Sequence, residues 1–101
     1  MDTFTALADH TRRRIIESLA VCEYSFGDLA DKFEMSRPAV SQHLKVLRDA
    51  GIVTARADAQ RRIYSLTEDS FDEVEEWLGK VREFWLQRLD KLEQLLGEPE
   101  E

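Results

Sequence analysis

Three neighbouring side chains, Ala39, Ser41 and Gln42, carry groups that can recognise DNA bases. A carboxamide can pair bidentately with adenine, a hydroxyl can bond a base or a phosphate, and a methyl group can contact the thymine methyl. At about 100° per residue, Gln42 points almost directly away from the side of a helix that carries Val40 and Leu44. These residues are therefore candidates for reading base edges in a groove.

One well-delimited helix is predicted to position these side chains. Ser36 and Pro38 are typical of a helix start, and Gly51 is typical of the position just after a helix end. The apolar side of this helix consists of Val40, Leu44 and Leu47. Because polar groups occupy the opposite side, the segment is interpreted as a DNA recognition helix.

Phosphate contacts are expected near the start of the same helix. Ser36 and Arg37 lie where free backbone N–H groups point outward, and Lys45 adds positive charge further along. Arg48 is interpreted as generic charge. The carboxylate of Asp49 would oppose approach to phosphate, so only the N-terminal half of the helix is expected to enter the groove.

The sequence allows two interpretations for His43 and two for the arginines at 12–14. His43 either hydrogen-bonds a phosphate or packs beside Leu47. The three arginines at 12–14 either form salt bridges, to Asp9, Glu17 or the acidic C-terminal segment, or contact phosphate.

A β-hairpin is predicted after the recognition helix. Residues 52–56 and 61–66 have the composition of strands, with a turn between them at 58–60. The tip carries Arg56, Arg61 and Arg62, which are expected to contact phosphate or the minor groove. The alternative for Arg61 and Arg62 is a solvated charge pair.

Three shorter helices are predicted upstream. One lies around residues 4–8, a second begins at Asp9 or Thr11 and runs to about Ala20, and a third runs from Ser25 through Phe33. The third is separated from the recognition helix by only a few residues. This is helix-turn-helix spacing, and the hairpin that follows it corresponds to a wing.

A long amphipathic helix is predicted from Thr67 until Gly97 and Pro99 end it. Trp77 and Phe84 widen its apolar stripe, which consists of Phe71, Val74, Leu78, Val81, Trp85, Leu89 and Leu92. A face this broad is expected to meet a second copy of the chain in a helical seam, so a homodimer is predicted. The alternative is that the helix folds back on its own domain.

The charge of the chain is unevenly distributed. Residues 1–66 carry a net charge of +1 and residues 67–101 carry −8, which gives the overall −7. The first segment can therefore still bind DNA, whereas the second would be repelled by it. The predicted organisation is a DNA-binding region at 1–66, a dimerisation helix at 67–97 and a disordered tail at 98–101, forming one mainly α structural domain with a small β-hairpin.

The residues of a catalytic or metal site are missing from the sequence. His10, His43 and the single cysteine, Cys22, do not match a zinc spacing, and neither a phosphate-binding glycine loop nor a nucleophile paired with a base is present. We therefore expect no catalytic residues, no metal and no cofactor. Cys22 is expected to be a buried small residue, with a redox sensor as the alternative.

A location in the cytoplasm is predicted from three features. No apolar run is long enough to span a membrane, the N-terminus does not resemble a signal peptide, and one cysteine cannot form an internal disulfide.

Residues 7–16, 29–30 and 36–53 closely resemble the arsenic-repressor (ArsR/SmtB) family of winged-helix repressors. The most specific part is the run Ser41-Gln42-His43-Leu44 before Ala50-Gly51. The resemblance implies a homodimer that binds a palindromic operator and blocks transcription. Many members release DNA when they bind a metal or metalloid.

The sequence departs from the metal-sensing members of that family. Ser25 and Gly27 stand where those members carry a Cys-x-Cys pair, and the C-terminal helix contains no histidine. The chain is similar to a branch that does not sense metals, whose C-terminal helix has features like those of residues 84–90. The resemblance implies no particular effector, so the effector is unknown.

Two other functions are compatible with the sequence. The winged region could be a scaffold whose aromatic C-terminal helix binds another protein. A metal-responsive repressor with an atypical site is the second.

Overall fold

The computed structural model describes residues 2–97, which fall into two compact units, one ending at Phe71 and the other beginning at Asp72. The bounds of the elements are α1 Thr3–Leu7, α2 His10–Val21, β1 Tyr24–Ser25, α3 Phe26–Ala30, α4 Arg37–Asp49, β2 Val53–Asp58, β3 Arg61–Leu66 and α5 Asp72–Leu95. The mainly helical class with a small hairpin is confirmed. The predicted boundary at 66 lies five residues before Phe71, the last residue of the first unit, and the predicted tail at 98–101 lies outside the described residues.

Short polar side chains start the four helices of the first unit. Asp2, Asp9, Ser25 and Ser36 each accept a hydrogen bond from a backbone N–H in the first turn of α1, α2, α3 and α4 respectively. Such a cap contributes about 1 kcal/mol to stability. The predicted starts of α2, α3 and α4 are thereby confirmed, whereas α3 ends at Ala30, before the predicted Phe33.

The arginines at the start of α2 bind backbone carbonyls, which corrects the predicted salt bridges. Arg12 Nε donates to the carbonyl oxygen of Ala6 at 2.8 Å, and Arg13 Nη1 donates to that of Leu7 at 2.8 Å. These carbonyls close α1, where acceptors lack helical partners and the dipole favours cations. The guanidinium of Arg14 lies 4.9 Å from the centre of a buried aromatic ring. The arginines therefore join α2 to its neighbours.

A Schellman motif ends α4. Gly51 has a φ of +80°, and its N–H donates to the carbonyl of Arg48 at 2.9 Å. The N–H of Ile52 donates to the carbonyl of Leu47, also at 2.9 Å, and Ile52 is fully buried. This pair of bonds is the arrangement that satisfies the last carbonyls of a helix. The chain therefore reverses within three residues and enters β2.

A three-stranded antiparallel sheet with the order β1-β3-β2 completes the first unit. The predicted hairpin is confirmed, with β3 at the predicted residues 61–66. The first strand is Val53–Asp58 and not the predicted 52–56, because Asp58 pairs with Arg61 instead of lying in the turn. The third strand, Tyr24–Ser25, was not predicted, because two residues are too few to show alternation.

One apolar core holds the first unit together. The largest side chains that are fully buried come from α2, α3, α4 and the segment before β2: Ile15, Leu29, Val40, Leu44, Leu47 and Ile52. Cys22 is exposed, which corrects its predicted burial. The reason is that α2 ends at Val21 and the chain is extended at Cys22, so this residue no longer follows the buried side of the helix.

The second unit contains α5, which begins at Asp72 and not at the predicted Thr67. Residues 68–71 form a turn in which the Ser70 hydroxyl donates to the carbonyls of Ile52, at 2.7 Å, and Thr67. Phe71 packs against the core of the first unit as a half-buried residue. The predicted stripe on the helix therefore begins at Val74.

Gly51→Ala tests the helix end. Nothing lies within 4 Å of an added Cβ, so the cost is the left-handed backbone alone, and we expect a loss of about 1–2 kcal/mol in the free energy of unfolding. Gly79→Ala, inside α5 and equally free of contacts, is the control and is expected to stabilise by up to about 1 kcal/mol. Urea unfolding of both variants would contradict this account if Gly51→Ala were neutral.

Candidate nucleic-acid interface

The two sides of α4 face opposite environments, as predicted. Val40 and Leu47 are fully buried, and Leu44 is 1% exposed. On the other side, Ser41 and Gln42 are exposed, with Ala39 half-buried beside them. These three side chains have no hydrogen bond or ion pair of their own among residues 2–97, so Ser41 and Gln42 are open to a ligand.

A cleft of about 940 Å³ lies between α4 and the wing. Four of the predicted DNA-binding residues line it together: Ser41, Lys45, Arg61 and Arg62. Its remaining walls are formed by Ser25, Phe26, Gly27, Arg48, Asp49, Gln60 and Tyr64. The cleft therefore brings Ser41 and Lys45 of the helix and the basic strand of the hairpin to one surface, whereas Ala39 and Gln42 do not line it.

Arg48 and Gln60 were not among the predicted site residues. Arg48 follows Ser41 and Lys45 at steps of four and three, which places all three on one side of a helix, and this spacing could have identified it. Gln60 lies in the two-residue turn of the hairpin. A turn residue carries no periodicity, so sequence alone could not place it in the cleft.

Three predicted DNA-binding cations form ion pairs within the chain. Arg37 Nη2 lies 3.3 Å from Asp31 Oδ1 across the turn between α3 and α4. Lys45 Nζ lies 3.3 Å from Asp49 Oδ2 one turn along α4. The third, Arg56, pairs with Glu23.

The pair of Arg56 and Glu23 links the wing to the segment before β1. A hydrogen bond from the Arg56 guanidinium, which also contributes its charge, lowers the pKa of the Glu23 carboxyl below its ordinary value. The same hydrogen bond raises the pKa of Arg56. Both groups are therefore charged at neutral pH, and the pair is ionic.

His43 has two neighbours that were not foreseen from the sequence, Arg12 and Asp9. Its side chain is 23% exposed, and Nδ1 lies 3.4 Å from Arg12 Nη1 and 3.8 Å from Asp9 Oδ2. A guanidinium only donates, so the contact with Arg12 is a hydrogen bond only when Nδ1 is unprotonated. The backbone N–H of Arg12 donates to the Asp9 carboxylate, and this hydrogen bond is the main cause that lowers the pKa of Asp9. His43 thus lies at the junction of α2 and α4, and a contact with DNA stays a prediction.

The helix pair α3 and α4, joined by a tight turn and followed by an antiparallel hairpin, defines a winged helix-turn-helix. In helix-turn-helix proteins the second helix of the pair lies in the major groove. The exposed polar side of α4 and the basic wing are therefore the features of a DNA-binding protein.

Comparison with known proteins identifies the family. A model described as "Bacterial regulatory protein, arsR family" matches residues 9–55. The chain is 43% identical over 91 residues to the HTH-type transcriptional regulator Rv2034 of Mycobacterium tuberculosis, which covers 90% of this chain and 82% of the relative. It is 31% identical over 77 residues to the transcriptional repressor SdpR of Bacillus subtilis, covering 76% and 86% respectively.

The same family emerges from the solved structures. The crystal structure of an ArsR family transcriptional regulator has a TM-score of 0.76 with this chain at 31% identity, covering 82% of this chain and 86% of the other. The chain belongs to the ArsR family and is a DNA-binding transcriptional regulator. It is not an enzyme, since its relatives are regulators, a class without catalytic activity.

Residues 2–97 contain neither a membrane-spanning helix nor a cluster of metal-binding side chains. Every helix in this range is too short or too polar to cross a membrane. The same residues contain no group of three His, Cys, Asp or Glu side chains placed to hold a metal ion.

Arg62→Ala tests the wing. If Arg62 contacts phosphate, the variant should bind every DNA sequence more weakly, and the slope of log K against log salt should fall in magnitude by about 1 for each chain bound. Lys80→Ala removes one charge from α5 and is the control, expected to keep the wild-type slope. Titration of a labelled duplex at several salt concentrations measures both. An unchanged slope for Arg62→Ala would place this side chain in solvent.

Proposed function

We propose that the protein is a homodimeric repressor that binds an inverted-repeat operator. The observation that carries this proposal is the exposed polar side of α4, which faces a basic wing across one cleft, in a chain whose C-terminal helix exposes a long apolar stripe. The first feature supports DNA binding, and the second supports pairing of two chains.

The reading of bases is assigned to the N-terminal half of α4. Gln42 is the first candidate, with Ser41 and Ala39 on either side of it, because they are directed away from the buried Val40 and Leu44. The Ser36 hydroxyl accepts from the N–H of Ala39 at 3.2 Å, which leaves its O–H available to donate to a phosphate oxygen.

Phosphate contacts are assigned to the cations on α4 and on the wing. Those on α4 are Arg37 and Lys45, and those on the wing are Arg56, Arg61 and Arg62. Arg48 joins them because it lines the same cleft. His43 is assigned a supporting role, since its ring lies between α2 and α4.

The dimer is assigned to the apolar stripe of α5. Its members after Val74 are between 38% and 53% exposed, namely Leu78, Val81, Trp85, Leu89 and Leu92. Trp77 and Phe84, beside the stripe, are 51% and 68% exposed. A helix with this much exposed apolar surface is expected to be covered, and a second copy would cover it symmetrically. Phe71 is omitted from this interface, because it packs on the winged core.

The two-fold symmetry of a dimer determines the symmetry and half-site spacing of the operator. Two recognition helices in successive major grooves lie about 34 Å apart, so the half-sites should form an inverted repeat with one helical turn between their centres. Repression rather than activation is inferred from the relative SdpR, whose name describes a transcriptional repressor. The effector remains unknown, and the location in the cytoplasm stays a prediction.

Gln42→Ala tests the base contact. Loss of a bidentate pair should cost about 1–3 kcal/mol at the cognate site and relax the preference at one base pair in each half-site. Selection of binding sites from a random pool, followed by titration of the best site and of a scrambled duplex, measures both effects. An equal loss of affinity on the two duplexes would show that Gln42 does not read sequence.

Val81→Glu tests the seam. A buried charge in the stripe should convert the dimer to a monomer and abolish tight binding to the inverted repeat, whereas one half-site should bind as weakly as before. Leu86→Glu is the matched control, since Leu86 is 51% exposed against 45% for Val81 and lies roughly 140° around the helix. Sedimentation equilibrium measures the mass, and circular dichroism checks that both variants fold.

The same measurements distinguish the second candidate, a protein-interaction module, which the exposed aromatic side chains of α5 favour. A wild-type chain that is monomeric in solution and does not bind DNA from its own promoter region would support that module and contradict the repressor.

A further inference from the structure

Three carboxylates lie beside cations of the DNA-binding surface. Asp31, just after α3, pairs with Arg37, and Asp49, at the end of α4, pairs with Lys45. Glu23, just before β1, pairs with a wing arginine. The three acids come from different elements, yet each contacts a cation that is predicted to bind phosphate.

All three pairs lie at the surface. The side chains of the six residues are between 47% and 70% exposed. Exposed pairs of this kind contribute little to stability, so they exchange partners readily. A carboxylate offers oxygen acceptors to a guanidinium or ammonium group as a phosphate does. Each acid can therefore bind the same cation that a DNA phosphate would bind.

The remaining cations of the surface are differently placed. Arg48, Arg61 and Arg62 line the cleft and form no ion pair within residues 2–97. Half of the six cations are thus neutralised in the free protein, and half are available to DNA at once.

We propose that Glu23, Asp31 and Asp49 are internal competitors for phosphate, which lower the affinity of the surface for DNA of any sequence. This inference rests on the proposed DNA-binding surface. To contact phosphate, Arg37, Lys45 or Arg56 must first leave its carboxylate, which then stands as an uncompensated negative charge near the duplex. The competition acts on the phosphate contacts only, so it weakens cognate and random DNA by the same factor and leaves the reading of bases by Gln42 unchanged.

The first experiment neutralises each acid without changing its shape. Glu23→Gln, Asp31→Asn and Asp49→Asn are titrated against a labelled random-sequence duplex and the cognate duplex by fluorescence anisotropy. We expect each to tighten binding by about 1.5- to fivefold for each chain bound, equally on both duplexes. Glu34→Gln is the matched control. Glu34 is exposed in the turn before α4 and forms no ion pair within residues 2–97. Its replacement by Gln removes the same charge as each of the three test substitutions. The affinity of this control should change less than that of any of the three.

The second experiment separates competition from a general effect of charge. The gain from Asp49→Asn should disappear when Lys45 is replaced by Ala, because there is no longer a cation to release. Lys45→Ala should in turn cost more affinity in the Asp49→Asn protein than in the wild type. A gain that is the same with and without Lys45 would overturn the proposal.

The outcomes also separate this proposal from the function on which it rests. A wild type that binds DNA, together with three variants whose affinities equal that of Glu34→Gln, would contradict internal competition and leave the repressor intact. Failure of the wild type and of every variant to bind either duplex would contradict both.

Discussion

The burial of one edge of α4 is the constraint on which the DNA-binding surface depends. Val40, Leu44 and Leu47 lie in the core with Ile15, Leu29 and Ile52, and each apolar side chain of this size loses about 1.5–3 kcal/mol if it is returned to water. Rotation of the helix about its axis would expose them, so the helix has one permitted orientation. That orientation presents Ser41 and Gln42 to solvent. The packing of the core therefore determines which side chains of the helix are available to a ligand.

Much of the fold could be predicted, because its signals are local. The caps at Asp9, Ser25 and Ser36 and the glycine at 51 are recognisable in a few residues, and α4 accordingly begins and ends where expected. The parts that were missed depend on tertiary contacts. Strand β1 exists only because β3 lies beside it, and α5 starts five residues late because the turn at 68–71 binds the segment before β2 through Ser70.

The sequence was sufficient to predict which side chains of the site are exposed, but not which residues most of them contact. Helical periodicity was sufficient to place Gln42 outside and Val40 inside, and residue types were sufficient to identify a basic wing. The bonds of Arg12 to carbonyls of α1 and the position of His43 between Arg12 and Asp9 could not be foreseen, since no spacing in the sequence relates residues 31 positions apart. The pair of Glu23 and Arg56 likewise joins residues that no spacing relates, whereas Lys45 and Asp49 have the i,i+4 spacing at which side chains of a helix meet. These pairs also show how a chain with a net charge of −7 presents a DNA-binding surface, because much of its acid lies elsewhere or is already paired.

The Schellman motif after α4 fixes a distance as well as a helix end. Only Ala50, Gly51 and Ile52 separate α4 from β2, and two backbone hydrogen bonds with one buried side chain hold them. This short connection restricts how far the helix and the wing can move apart. If both contact one duplex, as proposed, we expect the DNA to adjust its groove width to the protein, and sequences that deform easily would gain an advantage even at base pairs that no side chain contacts.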